Sequence, residues 1–167
     1  GTQQFVFDQG NRLASAPGVA TYAYDGFGRR FSVVGNDGIN RVQLYTQDGK
    51  ILQAGPAGGA MTKYVYLHNH VIAEVGPSGT QYQHTDALGS PVSRTNAAGG
   101  VVSQTKYEPY GKTAQGATPT LGFTGHVNDA DTGLVYMQQR YYDPVAGRFL
   151  SIDPVTTDAS TGNSFNR

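Results

Sequence analysis

Two Asp-Pro steps stand close together in "RYYDPVAGRFLSIDP", residues 140–154. An aspartate beside a second carboxyl or an arginine can serve as base, acid or nucleophile in peptide cleavage, because such neighbours set its protonation state. Asp153, with Arg148 a short bend before it, has that composition. The alternative is structural: Asp-Pro opens a turn and the carboxylate caps the amides that follow. The turn reading leads for Asp153. It also leads for Asp143, where Pro144 suits an early turn position and Gly147 supplies positive φ. Arg140 and Arg148 flank that turn and are placed to pair with Asp143 or stack on Tyr141, Tyr142 and Phe149.

Other chemistry-bearing residues are sparse. His68 and His70 alternate onto one strand face at a spacing a metal could bridge, but no nearby carboxylate or thiol completes a site. "DADTG" at 129–133 begins like a calcium loop, yet its glycine comes one place early and the distal glutamate is missing, so a turn is expected. "GFGRR" has a Gly-x-Gly, but strand-like "RFSVV" follows where a phosphate site needs a helix. No nucleophile elbow, Walker loop or HExxH is present. No metal or cofactor is expected.

The elements that must position these residues read as nearly all β. With 23 glycines and large side chains drawn mainly from Tyr, Phe and Val, the sequence suits strands and turns. Strand-like runs such as "QFVFD", "ATYAYD", "RVQLYT", "TKYVYLH" and "GLVYMQQRYY" alternate with glycine-bearing turns. Phe5 and Phe7, Tyr22 and Tyr24, and Val42 and Leu44 form same-face pairs; Tyr64 and Tyr66 share one face, Val65 and Leu67 the other. An aromatic-then-turn unit recurs, with Asp8, Asp25 and Asp48 marking an irregular period of about twenty. One such unit cannot bury its aromatic face alone, so neighbours should stack edge to edge into a long coiled sheet. The aromatic ladder is expected to pack cross-strand rather than line a sugar-binding face.

Composition limits the function classes. Twelve basic and twelve acidic residues cancel, so no net field favours nucleic acid or an anionic membrane. Cysteine is absent, which excludes disulfides and thiolate metal sites but leaves the compartment open. No apolar run is long enough to span a bilayer.

The motifs resemble those of rearrangement-hotspot (RHS) proteins. "TYAYDGFGRR" resembles their tyrosine-aspartate (YD) repeat, with Tyr24, Asp25, Gly26, Gly28 and Arg29 in the characteristic places. "YQHTDALGSPV", with Asp86 and Gly89, and "KYEPYGK", with Tyr107, Pro109 and Gly111, look like parts of the repeat-associated core. Residues 123–154 match that core's most distinctive signature almost position for position. The match includes Gly125, Gly133, Arg140, Tyr141, Tyr142, Asp143, Pro144, Gly147, Arg148, Phe149 and Pro154. The resemblance divides the chain into a YD-repeat strip (1–122), the core signature (123–154) and the start of the segment after it (155–167).

The resemblance implies a curved antiparallel sheet forming part of a hollow shell. Such shells belong to large bacterial toxins, secreted or delivered to target cells, including type VI secretion effectors and the C components of insecticidal toxin complexes. It implies a C-terminal toxin polypeptide as cargo, and secretion-machinery proteins as partners. A fragment of a strip should also leave a free edge that pairs with another chain. Many members cut their own chain with two aspartates; Asp153 occupies the first position, and the second is expected beyond Arg167. After Pro154 this sequence reads "VTTDASTGNSFNR" and departs from the common pattern. The leading expectation is a non-enzymatic shell segment. The alternatives are a carbohydrate- or cell-surface-binding repeat, or half of an aspartyl autoprotease.

Overall fold

The computed structural model describes residues 3–152. Turn chemistry organises the first two thirds of the chain. At Asp8, Asp25, Thr46, Asp86 and Glu108 a five-residue turn closes in one way: the first N–H donates to the fifth carbonyl, and the fourth N–H donates back to the first carbonyl. The fourth residue needs positive φ, supplied by Asn11 and by Gly28, Gly49, Gly89 and Gly111. In the first four turns the opening side chain also accepts from the fifth backbone N–H, as Asp25 Oδ1 does from Arg29 at 2.9 Å.

These turns join twelve strands in one antiparallel strip, each paired with its sequence neighbours. They are β1 (Val6–Phe7), β2 (Leu13–Ala16), β3 (Ala20–Tyr24), β4 (Arg30–Gly35), β5 (Asn40–Tyr45) and β6 (Ile51–Pro56). There follow β7 (Thr62–Leu67), β8 (His70–Gly76), β9 (Gly79–Thr85), β10 (Pro91–Asn96), β11 (Val101–Tyr107) and β12 (Thr113–Gly116). Because strands alternate in direction, all five of these turns lie at one end of the strip. A tyrosine ties successive hairpins together there: Tyr24 Oη donates to the Leu13 carbonyl (2.7 Å), Tyr45 Oη to that of Arg30 (2.9 Å) and Tyr107 Oη to that of Pro91 (3.0 Å). The cation ending each of the first three turns sits over the tyrosine of the following one: Arg12 over Tyr24, Arg29 over Tyr45, Lys50 over Tyr66.

The remaining strands form a separate four-stranded antiparallel sheet, β13 (Val127–Asn128), β14 (Val135–Met137), β15 (Arg140–Asp143) and β16 (Arg148–Phe149), preceded by a 3-10 turn at Phe123–Gly125. It packs on one face of the strip, the inner face. Leu13, Tyr22, Val33, Ile51, Tyr64 and Val71 from the strip share a core with Leu121, Val127, Leu134, Tyr136 and Tyr141. The nearly all-antiparallel architecture is the one expected from the sequence.

Three local expectations need correction, and a fourth is sharpened. The repeat equivalent of Asp8 and Asp25 is Thr46; Asp48 lies inside that turn and bonds Thr46 Oγ1 and Lys50. "LVYMQQRYY" is not one strand, since it folds back at Gln138, whose φ is 60°, and pairs Met137 with Arg140. His68 has φ 55° in the turn before β8, so it shares no strand face with His70. Val42 and Leu44 do share a face, but it is the outer one, where Leu44 is exposed while Gln43 turns inward.

Candidate functional site

The centre of the inner face holds a charge. Arg30 opens β4 and is 1% exposed. Its guanidinium Nη1 donates to Asp129 Oδ2 at 3.0 Å and to Tyr141 Oη at 2.9 Å. Its backbone N–H donates to Tyr136 Oη at 2.7 Å. Three rings surround the guanidinium, with centroids 5.4 Å away for Tyr22, 4.5 Å for Tyr136 and 5.6 Å for Tyr141. Asp129 is equally buried; it opens the turn to Leu134, where Gly133 N–H donates to the Asp129 carbonyl. This cluster clasps the strip to the second sheet through charge, hydroxyls and ring faces together.

The electrostatics follow from burial. Burial alone favours loss of the Arg30 proton, but Tyr141 and Asp129 oppose it, and the guanidinium is held more firmly protonated than a free one. Burial pushes the Tyr22 and Tyr141 hydroxyls well up and that of Tyr24 to about 12. None of these tyrosines ionises near neutrality; the Tyr24 and Tyr141 hydroxyls act as hydrogen-bonding groups, and Tyr22 and Tyr141 present ring faces.

Further contacts dock the second sheet along the turn end of the strip. Gln138 Nε2 donates to the Gly49 carbonyl (2.9 Å), the Thr124 N–H to Ser90 Oγ (3.0 Å), and Tyr142 Oη to the Tyr110 carbonyl (3.0 Å). Gly111 lies against the Phe123 ring, and Phe123 stacks with Tyr142 at 6.3 Å between centroids.

The residues singled out from sequence distribute over this frame. Tyr24, Asp25, Gly26, Gly28 and Arg29 build the β3–β4 turn, where Asp25 accepts from the Phe27 and Arg29 N–H groups and pairs with the Arg29 guanidinium. Burial pushes the Asp25 carboxyl up, but the Arg29 backbone and side chain outweigh it and leave it below the ordinary carboxylate range. Asp86 and Gly89 build the β9–β10 turn, and Tyr107, Pro109 and Gly111 the β11–β12 turn. Gly125 and Gly133 take positive φ. Asp143 accepts from the Val145 and Ala146 N–H groups, and Gly147 N–H returns to its carbonyl, so Asp143, Pro144 and Gly147 form a tight turn. Arg140 stacks on Phe149 with its guanidinium 3.7 Å from the ring centroid, and Arg148 stands opposite Asp143 in the backbone register of β15–β16. Tyr141 and Tyr142 are buried. Asp153 and Pro154 lie outside the described residues. Among the described residues no three His, Cys, Asp or Glu side chains gather around a common point.

Arg30, Asp129 and Tyr136 were not foreseen as a unit. One signal was available: in "GRRF" two arginines adjoin at the start of a strand, and adjacent strand residues face opposite sides, so one of them must meet the inner face.

Comparison with known proteins places this architecture. The Teneurin YD-shell family profile matches residues 1–166. The chain belongs to the YD-shell family. Toxin subunit YenC1 of Yersinia entomophaga is 33% identical over 115 residues, covering 64% of this chain and 12% of that protein. The tRNA3(Ser)-specific nuclease WapA of Bacillus spizizenii is 29% identical over 159 residues, covering 89% of this chain and 7% of its own length. In the crystal structure of TcdB2-TccC3-Cdc42, the fold is shared at a TM-score of 0.70 with 22% identity, over 93% of this chain and 9% of that one. This YD-shell chain therefore spans a small fraction of the relatives it matches. Its own role is structural, as a length of shell wall with a second sheet docked on its inner face.

Proposed function

We propose that this YD-shell segment forms the part of a toxin shell that closes around a C-terminal cytotoxic polypeptide and leads into its self-cleavage region. The observation that carries the proposal is the docking of the second sheet by the Arg30–Asp129 clasp on the inner face, close to the strip's turn end. A wall alone needs only strands. A second sheet fastened by a buried ion pair and several tyrosine hydroxyls makes an inward-projecting element that fixes where the chain runs next. The toxin name of YenC1 supports a bacterial, secreted or delivered setting. In this reading Asp153 provides one of the two cleaving carboxyls, and the enzyme activity belongs to the intact protein.

The test uses the longer protein. The polypeptide downstream of this segment should resist added protease in the native protein and be digested once Asp129→Ala loosens the clasp. Digestion at the rate of the free polypeptide in the native protein would rule out enclosure. Separately, Asp153→Asn should leave the chain uncut; unchanged cleavage makes Asp153 a turn residue only.

A further inference from the structure

A second polar cluster lies on the same inner face, away from the clasp and unused by it. Glu74 on β8 is 9% exposed and Gln83 on β9 is 6% exposed. Among the described residues, Glu74 Oε1 and both Oε1 and Nε2 of Gln83 have no hydrogen-bond partner. Three buried polar atoms without partners on neighbouring strands are costly, because each has given up its water without a replacement. The two side chains are within reach of one another: Glu74 faces Gln81 across the β8–β9 ladder, and Gln83 follows on the same face, where its amide acting as a donor would lower the Glu74 carboxyl.

The charged and titratable groups around Glu74 are few. Arg94 on β10 approaches Glu74 Oε2 at 3.4 Å while its Nε is engaged by Ser103 Oγ at 2.9 Å. Tyr64 lies directly opposite on β7, and Tyr66 follows on the same strand. Arg94 favours the carboxylate, but its contact is long and occupies only one oxygen. A carboxylate can only accept, and Oε1 has no donor aimed at it unless Gln83 turns its amide. A protonated carboxyl changes the pairing, since Oε1–H can donate to Gln83 Oε1 while Oε2 still accepts from Arg94.

We infer that Glu74 and Gln83 form a proton-holding pair that fastens β8 to β9 on the inner face, with the Glu74 Oε1–H donated to Gln83 Oε1. The proton comes from solvent and returns to it; no other bond is made or broken. Burial also pushes this carboxyl up, outweighing Arg94 and the Gln83 amide, both of which act to lower it. The sign follows: a carboxyl that holds its proton more tightly folded than unfolded stabilises the fold as pH falls, and that contribution is lost as pH rises through its folded midpoint. The inner face of this wall therefore tightens in acid and loosens toward alkaline pH at β8–β9.

The sequence makes the measurement simple, because Glu74 and Glu108 are its two glutamates. Glutamate labelled with ¹³C at Cδ gives two carboxyl signals in the full chain, and Glu108→Gln assigns them. The Glu74 signal should titrate at higher pH than a solvated glutamate side chain; a midpoint at or below that of a solvated glutamate overturns the inference. Gln83→Leu separates the two roles of the amide. Loss of an acceptor for the proton lowers the Glu74 midpoint, as the pair requires. Loss of a donor to the carboxylate raises it, and a raised or unmoved midpoint sinks the pair. Where Gln83→Leu does not fold, the pH dependence of stability in Glu74→Gln decides. The wild type should lose stability relative to this variant as pH rises, and a constant difference counts against the inference.

Discussion

Arg30 carries a full charge into a site that solvent barely reaches, and its neighbours make that tolerable. A buried ion pair is weak evidence for net stability, since desolvation of both ions offsets much of their attraction. Removing one partner is different, because it strands the other charge. Asp129→Ala leaves the Arg30 guanidinium with Tyr141, a long contact to Gln43 at 3.4 Å and the ring faces, with no countercharge, and should cost about 3–5 kcal/mol of unfolding free energy. Replacing both ions by apolar residues of similar volume, Arg30→Met with Asp129→Leu, should cost less than Asp129→Ala by itself. Urea denaturation of the three proteins checks this ordering. If the double variant proves the least stable, the pair contributes more than its desolvation consumes.

At the scale of elements, the repeat is a turn before it is a strand. One turn geometry recurs at Asp8, Asp25, Thr46, Asp86 and Glu108, and a positive-φ residue occupies the same place in each. Equivalent glycines nevertheless differ in what surrounds them. A Cβ on Gly28 would meet nothing closer than 3.8 Å, so Gly28→Ala should cost only the left-handed backbone strain, about 1–2 kcal/mol. A Cβ on Gly111 would fall 2.3 Å from the Phe123 ring and push it from its stack with Tyr142. Gly111→Ala should therefore cost about 3 kcal/mol or more, strain and overpacking combined. Equal losses in denaturation midpoint would show that the Phe123 stack yields freely. The same contrast explains what the sequence made legible. Turn glycines and alternating aromatics announce hairpins locally, so the all-β strip and the 143–147 turn could be read directly. The Arg30–Asp129 pair could not, because its partners are distant in sequence and each has a sufficient local explanation, a strand start and a turn opener. Asp48 misled for the opposite reason: threonine can close the same turn with a hydroxyl, so the aspartate nearby looked like the repeat residue. The Gln138 reversal was hidden because it uses a non-glycine residue at positive φ.

At the scale of the molecule, the strip's linear strand order leaves β1 and β12 with one paired neighbour each among the described residues. An edge of unpaired backbone groups recruits another strand unless something blunts it. β1 is two residues long and offers little, whereas β12, Thr113–Gly116, presents a longer row. Ala117 N–H donates to the Gln104 carbonyl on β11. The β11–β12 register shifts between Lys106 and Tyr107, which pair with Gln115 and Thr113, so Ala114 is the extra residue of a bulge and faces no partner on β11. Gly116 tolerates no side chain, because a Cβ there would fall 1.9 Å from the Gln104 carbonyl oxygen. Ala114 is thus the place to block the edge: proline is accommodated at a bulge on an edge strand, and Ala114 has no register partner on β11 to lose. The isolated chain should self-associate with rising concentration in sedimentation velocity, and Ala114→Pro should hold it monomeric with its far-UV circular dichroism unchanged. In the longer protein the same substitution should interfere with whatever strand continues the wall beside β12, so a disturbed shell there and a monomer here belong to one cause. A wild-type chain that stays monomeric across the concentration range would mean that the β12 edge is already protected by its own twist or by the residues that follow it.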